Sequence, residues 1–237
     1  MSVGKMKWDQ DTKREYEGGV DMCALFPIGS TGYEAGVPWN GLTKIEEKPT
    51  GAEIKKKYAN NREYAQLQSK EEYEATMEAF TYPDEFYPCN GMKIIAPGVY
   101  AHQQNRKKFG LVYRSLIGND AEGYDYGYKY HIVYGCLAKP SSTVHETEDD
   151  DTDIEAMSWD LSATAPSVNI PGLKPMATIT IDSRTVDSAK LTQFEDFVYG
   201  TDAVAGGEGV DPVAGTEPAM PTIEKIIEIF GTEAISG

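Results

Sequence analysis

The densest set of potential metal ligands in this 237-residue chain is Asp149-Asp150-Asp151-Thr152-Asp153, with Asp160 at the twelfth position counted from Asp149. Alternate carboxylates at that spacing are how a calcium loop presents its oxygens. Here, however, the sixth position is Ile154, where such a loop needs glycine to turn, and no helices flank it. The stretch 143–153 therefore reads as a solvated acidic loop. His102, His131 and His145 lack the paired spacing of a zinc helix and have no cysteine at ligand distance. His131 alternates with Tyr130 and Ile132, which makes it a sheet-face residue. Cys23, Cys89 and Cys136 are odd in number and far apart, matching no disulfide framework or zinc pattern. They read as small buried hydrophobes of a protein made in a reducing cytoplasm. No Gly-x-Ser-x-Gly elbow or phosphate-cradling Gly-Lys-Ser/Thr loop occurs. A glycosidase would need two carboxylates converging across a cleft, and nothing ranks any pair of the 38 acids above the rest. No catalytic residue, metal ligand or cofactor is assigned, and no enzyme is expected.

Charge narrows the classes further. The formal net charge is minus 16, and proteins that grip a phosphate backbone concentrate Lys and Arg instead. The basic run Arg106-Lys107-Lys108 leads into a strand and reads as a subunit contact rather than a nucleic-acid patch. Tyr124, Tyr126, Tyr128, Tyr130 and Tyr134 suit half-buried strands and interfaces better than sugar stacking. Residues 1–17 are too polar for a secretory signal, and no run is long enough to cross a bilayer.

The elements that must position these residues are mostly strands. Phe109, Leu111 and Tyr113, then Tyr128, Tyr130, Ile132, Tyr134 and Cys136, alternate with period two on either side of a polar turn at 118–127. That pattern predicts a long antiparallel hairpin over 109–137. Further strands are expected at 20–28, 42–47, 94–102, 154–164 and 176–182. In one at 73–82, Tyr73, Ala75, Met77 and Ala79 face one way and Glu74, Thr76 and Glu78 the other. Residues 83–89 read as a short helix or turn. A helix is expected over 187–199, with Asp187 or Ser188 as cap, a stripe of Leu191, Phe194 and Val198, and Gly200 as stop. Residues 48–70 form a polar connection too long for an ordinary loop, which marks a candidate intersubunit element. Residues 201–221 have linker composition. Ile223, Ile226, Ile227 and Phe230 then share one face of a short helix that must dock on the body or on a neighbour.

Several blocks in fixed order also resemble a known family. They are Glu15-Tyr16-Glu17-Gly18-Gly19-Val20-Asp21, Gly36-Val37-Pro38-Trp39-Asn40-Gly41-Leu42-Thr43, Glu78-Ala79-Phe80-Thr81-Tyr82-Pro83-Asp84-Glu85-Phe86, Gln103-Gln104-Asn105-Arg106-Lys107-Lys108-Phe109-Gly110, Leu116-Ile117-Gly118-Asn119-Asp120, Asp125-Tyr126-Gly127-Tyr128-Lys129 and Ile179-Thr180-Ile181-Asp182-Ser183. Together they resemble the major tail protein that forms the tail tube of long-tailed phages of Gram-positive bacteria.

That resemblance implies a mainly β fold: an antiparallel tail-tube-type β-sandwich with one flanking α-helix, a long inter-strand loop and extended terminal arms. The expected division is an N-terminal arm at 1–19, the β domain at 20–200 and a C-terminal linker and helix at 201–237. It implies a structural virion protein whose copies form hexameric rings stacked into a DNA conduit, assembled in the host cytoplasm. The implied partners are the chain itself, tape-measure and tail-tip or terminator proteins, and DNA in transit without sequence-specific binding. Glu74 and Glu78 are the candidates to line the bore. Glu53, Lys55, Lys56, Lys57, Tyr58, Arg62, Arg106, Ile223, Ile226, Ile227 and Phe230 are the candidates for contacts between subunits or rings. The competing class is a receptor- or carbohydrate-binding β-sandwich module of a virion.

Overall fold

The hairpin expected over 109–137 is the spine of the molecule. The computed structural model describes residues 5–143, 147, 154–168, 170, 172–205 and 213–231. Its strands are Glu15–Pro27 (β1), Val37–Pro38 (β2), Leu42–Glu47 (β3), Thr50–Gly51 (β4), Ile54–Ala59 (β5), Arg62–Gln68 (β6), Glu71–Ala79 (β7), Lys93–Ala96 (β8), Val99–Ala101 (β9), Phe109–Asn119 (β10), Gly123–Ala138 (β11), Met157–Ala163 (β12) and Thr178–Asp182 (β13). Two helices follow, Ser188–Tyr199 (α1) and Ile223–Phe230 (α2). The main sheet runs β2-β1-β10-β11-β12-β7-β3, with β13 added to β11 and β4 to β7. Every pairing in it is antiparallel. The fold is mainly β, as expected.

The β10–β11 turn is tighter than the polar stretch suggested. Asn119 pairs with Gly123, and its side-chain oxygen accepts from the amides of Ala121 and Glu122 at 2.9 and 2.6 Å. Gly123 supplies the left-handed conformation (φ 61°) that closes the loop. At the other end, β11 carries an extra residue against β10 near Gly135 (φ 58°), a bulge that bends the sheet.

That bending lets one sheet enclose a core on each face. On one side β1, β10 and β11 meet β7, β12 and β3. They bury Leu25, Met77, Leu111 and Val133 with an aromatic group of Trp39, Phe86, Phe109 and Trp159, whose closest ring centroids are 4.5 Å apart. The indole N–H of Trp39 donates to the Thr81 carbonyl at 2.8 Å. Cys23, Cys89 and Cys136 are buried there as free thiols. On the other side Phe26, Val112, Tyr130, Ile132 and Ile181 are covered by Leu191, Phe194 and Val198 of α1 and by Ile223, Ile226 and Ile229 of α2. Asp187 caps α1 by accepting from the amides of Ala189 and Lys190, and Gly200 (φ 76°) ends it.

Four expectations need correction. β1 begins at Glu15, inside the stretch assigned to the N-terminal arm. Register shifts near Gly19 (φ 75°) and Met22 (φ 49°) break its alternation. Residues 48–70 are not an irregular loop: they hold β4 and the β5–β6 hairpin, turned by Asn60 and Asn61, both left-handed (φ 52° and 58°). That is the geometry of a two-residue hairpin turn. The single strand expected over 94–102 is the β8–β9 hairpin, turned at Pro97-Gly98. Two helices rather than one cover the sheet, because α2 returns to its own body.

Candidate assembly surfaces

The β5–β6 hairpin brings together most of the residues expected at subunit contacts. Lys55, Lys56, Lys57 and Tyr58 stand on β5 and Arg62 on β6, while Glu53 precedes β5 and its amide donates to Ser69 Oγ at 2.9 Å. Nearly every residue is exposed, Tyr64 at 79% and Tyr58 at 68%. Lys56 pairs with Glu63 at 2.8 Å, and Glu63 also accepts from Gln66. Lys55, Lys56, Lys57, Arg62 and Lys70 against Glu53 and Glu63 give residues 53–70 a net plus 3, which leaves minus 19 on the rest of the chain. The apolar side chains Ile54, Tyr64 and Leu67 were missed, since a ribbon exposed on both faces has no alternation to read. Its one local signal was Asn60-Asn61.

Glu74 and Glu78 do lie on the outward face of β7, opposite the buried Ala75, Met77 and Ala79. Neither is an isolated negative charge. Lys139 stands 2.8 Å from Glu74, and Lys44 is 3.6 Å from Glu78 and 3.0 Å from Glu46. Lys48 is 3.4 Å from Glu46, and Asp160, the last residue of the calcium-like spacing, accepts from Thr76 Oγ1 at 2.8 Å. The outer face of β3, β7 and β12 is thus a lattice of paired charges. Asp149 to Asp153 lie outside the described residues. Among the described residues, no three His, Cys, Asp or Glu side chains converge to hold a metal.

Arg106 is partly buried against the backbone of Gly91, and its guanidinium donates to Asn90 Oδ1 at 3.1 Å. Burial draws its pKa down. It borders a groove of about 660 Å³ lined also by Tyr82, His102, Gln104, Met157 and Trp159. Ile223, Ile226, Ile227 and Phe230 are not free for a neighbour, because α2 lies on α1 and the sheet of its own chain. Ile223 and Ile226 are buried, and Ile227 and Phe230 pack against the same core. Phe230 and Phe194 ring centroids are 5.9 Å apart, and Lys190 donates to the Phe230 carbonyl at 3.0 Å. Sequence periodicity marked the stripe but missed Ile229, which is also buried.

One polar cluster was not foreseen. Where the first core opens to solvent, Tyr113 and Tyr73 donate to Glu47 at 2.6 and 3.1 Å. His131 stacks on Tyr113 with centroids 4.7 Å apart, and its Nε2 lies 2.8 Å from Ser115 Oγ, which donates to Glu17 at 2.7 Å. Lys129 reaches Glu17 at 2.5 Å. Burial lowers the His131 pKa, against the opposing pull of Glu47 and Glu17. Burial also works against the Glu17 carboxylate, but Lys129 and Ser115 hold it below its usual value. Ser115, His131 and Glu47 fall in the order of a Ser-His-acid relay, yet the geometry is not one. Nδ1 is 3.9 Å from Glu47, beyond a hydrogen bond, and the serine hydroxyl is engaged by Glu17. The cluster instead ties β1, β3, β7, β10 and β11 together.

No protein-family model matches the chain, and no curated protein matches it. Among solved structures it is similar to a chain of an extracellular contractile injection system, described as the PVC sheath-tube complex in the extended state by cryo-EM. The identity is 12% and the TM-score 0.34, covering 70% of this chain and 93% of that one.

Proposed function

We propose that this chain is a structural subunit of a phage tail tube, whose copies form hexameric rings stacked into a conduit for DNA. One observation carries the reading. Four of the seven blocks that resemble the major tail protein, drawn from three separate stretches of the chain (15–21, 116–129 and 179–183), are adjacent in the sheet. Glu15, Glu17 and Gly18 pair with Asn119, Ile117 and Leu116. Leu116 and Ile117 pair with Tyr128 and Gly127, and Lys129 pairs with Asp182. These four blocks therefore form one continuous patch of four strands, as a shared architecture would require. The projecting β5–β6 hairpin gives such a subunit a means of reaching a neighbour. Tape-measure and tail-tip or terminator proteins would start and stop the tube, the virion tail would be its location, and DNA would pass without specific binding. The working role needs no active site.

Negative-stain electron microscopy of the purified, concentrated protein near physiological salt tests this. Hollow tubes or six-fold rings are expected, and monomers at every concentration would overturn the reading. The groove at Arg106, with Tyr82 and Trp159 beside Asn90 and Gln104, favours the second reading, a carbohydrate-binding virion module. A glycan screen that finds a ligand displaced by Arg106→Ala would establish that reading instead.

A further inference from the structure

Among the described residues the β5–β6 hairpin packs chiefly on itself, with at most slight contact to any other element. An isolated two-stranded ribbon is marginal in water, and this one exposes Ile54, Tyr58, Tyr64 and Leu67 among its lysines. A ribbon of that composition is suited to an acidic surface with an apolar slot in it.

The chain offers several acidic surfaces, and pairing separates them. On the outer face of β3, β7 and β12, Lys44, Lys48 and Lys139 already answer Glu46, Glu78 and Glu74. Near the tip of β10–β11, Arg184 holds Glu15, Lys129 holds Glu17 and Arg14 stands 3.6 Å from Asp120. The helix-bearing face is different. Its described stretch, 187–205 and 213–231, has seven acids against only Lys190 and Lys225. Lys225 pairs with Glu228 at 2.8 Å, Asp187 caps α1 and Glu195 accepts from Tyr128 and Tyr130, which leaves Asp196, Asp202, Glu217 and Glu224 without a cation among the described residues. The slot is there as well. An apolar groove of about 340 Å³ runs between β1–β2 and α1, lined by Met22, Val37, Pro38, Val198, Tyr199 and Pro218. The exposed Glu217 is the chain neighbour of Pro218.

We propose that the β5–β6 hairpin of one copy seats on the helix-bearing face of a second copy. Its lysines would answer Asp196, Asp202, Glu217 and Glu224, and its aromatic and aliphatic side chains would enter the groove between β1–β2 and α1. Donor and acceptor are different surfaces, so the contact is head-to-tail. It repeats from copy to copy until it closes a ring or extends a filament. Only the identity of that assembly, a tail tube, rests on the functional reading above.

Charge reversal tests this with the full chain. One variant makes the hairpin acidic (Lys55→Glu, Lys56→Glu, Lys57→Glu), and the other makes the helix face basic (Asp196→Lys, Asp202→Lys, Glu217→Lys). All six positions are exposed, and circular dichroism and the melting temperature confirm that each variant folds. Each alone sets like charges against like. Mixed one to one, every hairpin finds a helix face of opposite sign, an alternation that an even-numbered ring accommodates. In sedimentation velocity, each variant alone should associate at least about tenfold more weakly than wild type. The mixture should recover association, more so at roughly 50 mM than at roughly 500 mM salt. If either variant assembles like wild type, or the mixture stays as weak as its parts, the docking proposal falls. Tubes from wild type and from both variants would leave the tail-tube reading standing without it. A mixture that pairs while wild type forms no ring or tube would do the reverse. If neither wild type nor mixture associates, both fall.

Discussion

Replacing Ile229 by alanine separates a helix that belongs to its own subunit from one that is lent to a neighbour. Ile229 is 4% exposed in the second core, beside Ile223 and Ile226. The substitution removes three carbons, about 2.4 kcal/mol of transfer free energy at ~0.8 kcal/mol per methylene. The unfilled space adds to this, so the total falls within the ~2–5 kcal/mol usual for buried Ile→Ala. Against an overall stability of about 5–15 kcal/mol, that is a large fraction. Ile227, only partly buried on the same helix, should cost roughly half as much or less. Equilibrium urea unfolding, at a dilution where sedimentation shows monomers, reads both. The Ile229→Ala midpoint should fall by about 1 M at unchanged slope, taking m near 3 kcal/mol/M. A midpoint unmoved in the monomer, with assembly abolished, would mean that α2 packs on a neighbouring copy and that its intrachain docking is wrong.

Four other outcomes are expected. Burial pushes the Cys23 and Cys89 thiols up to about 12 and raises Cys136 as well; Ellman's reagent at pH 8 should find none of the three thiols in the native protein and all of them after unfolding, and a fast-reacting native thiol would contradict that core. His131 is held below its usual value by burial, so its contribution is complete above the unfolded pKa near 6.5 and declines as pH falls, because the unfolded chain then binds the extra proton; melting temperature should drop between about pH 7 and 5, and His131→Gln should flatten that slope. Gly135→Ala places a Cβ 2.7 Å from the Thr164 carbonyl at φ 58° and should cost about 2 kcal/mol or more in urea unfolding; a neutral result would remove the bulge. Glu74→Lys with Glu78→Lys turns a nearly balanced face basic, so tubes should still form but DNA ejection should slow; unchanged ejection would place those residues away from the bore.

How much of this was legible depends on whether the governing contacts are local. In β7, burial alternates residue by residue, so Ala75, Met77 and Ala79 announced their face. In α1 the Asp187 cap, the buried stripe and Gly200 all lie within one short stretch, and the helix followed. β1 was half read, since bulges at Gly19 and Met22 shift the phase of the alternation. The β5–β6 hairpin was unreadable by hydrophobic period because neither of its faces is buried. The Glu17–His131–Glu47 cluster joins residues that only the sheet makes neighbours, and no spacing along the chain could announce it. The direction in which α2 docks is hidden for the same reason: its apolar face was plain, but its partners, Ile132, Ile181 and Phe194, are distant in sequence.

Net charge alone is a poor guide to how copies of this chain meet. A total of minus 16 suggests uniform repulsion, and a subunit repelling itself on every side would assemble poorly. The charges are not spread evenly. The outer face of β3, β7 and β12 neutralises most of its own acids, and the tip of β10–β11 ties its glutamates to Arg184 and Lys129. The described helix-bearing stretch keeps a net minus 5, seven acids against two lysines, and Lys55, Lys56 and Lys57 stand together on a ribbon that packs chiefly on itself. Segregation of that kind costs the isolated subunit little, because both regions are solvated and screened over ~8 Å at physiological ionic strength. Between copies it gives direction: hairpin to helix face is attractive, whereas hairpin to hairpin and helix face to helix face are not. That asymmetry favours head-to-tail growth over the two-fold pairing of like surfaces.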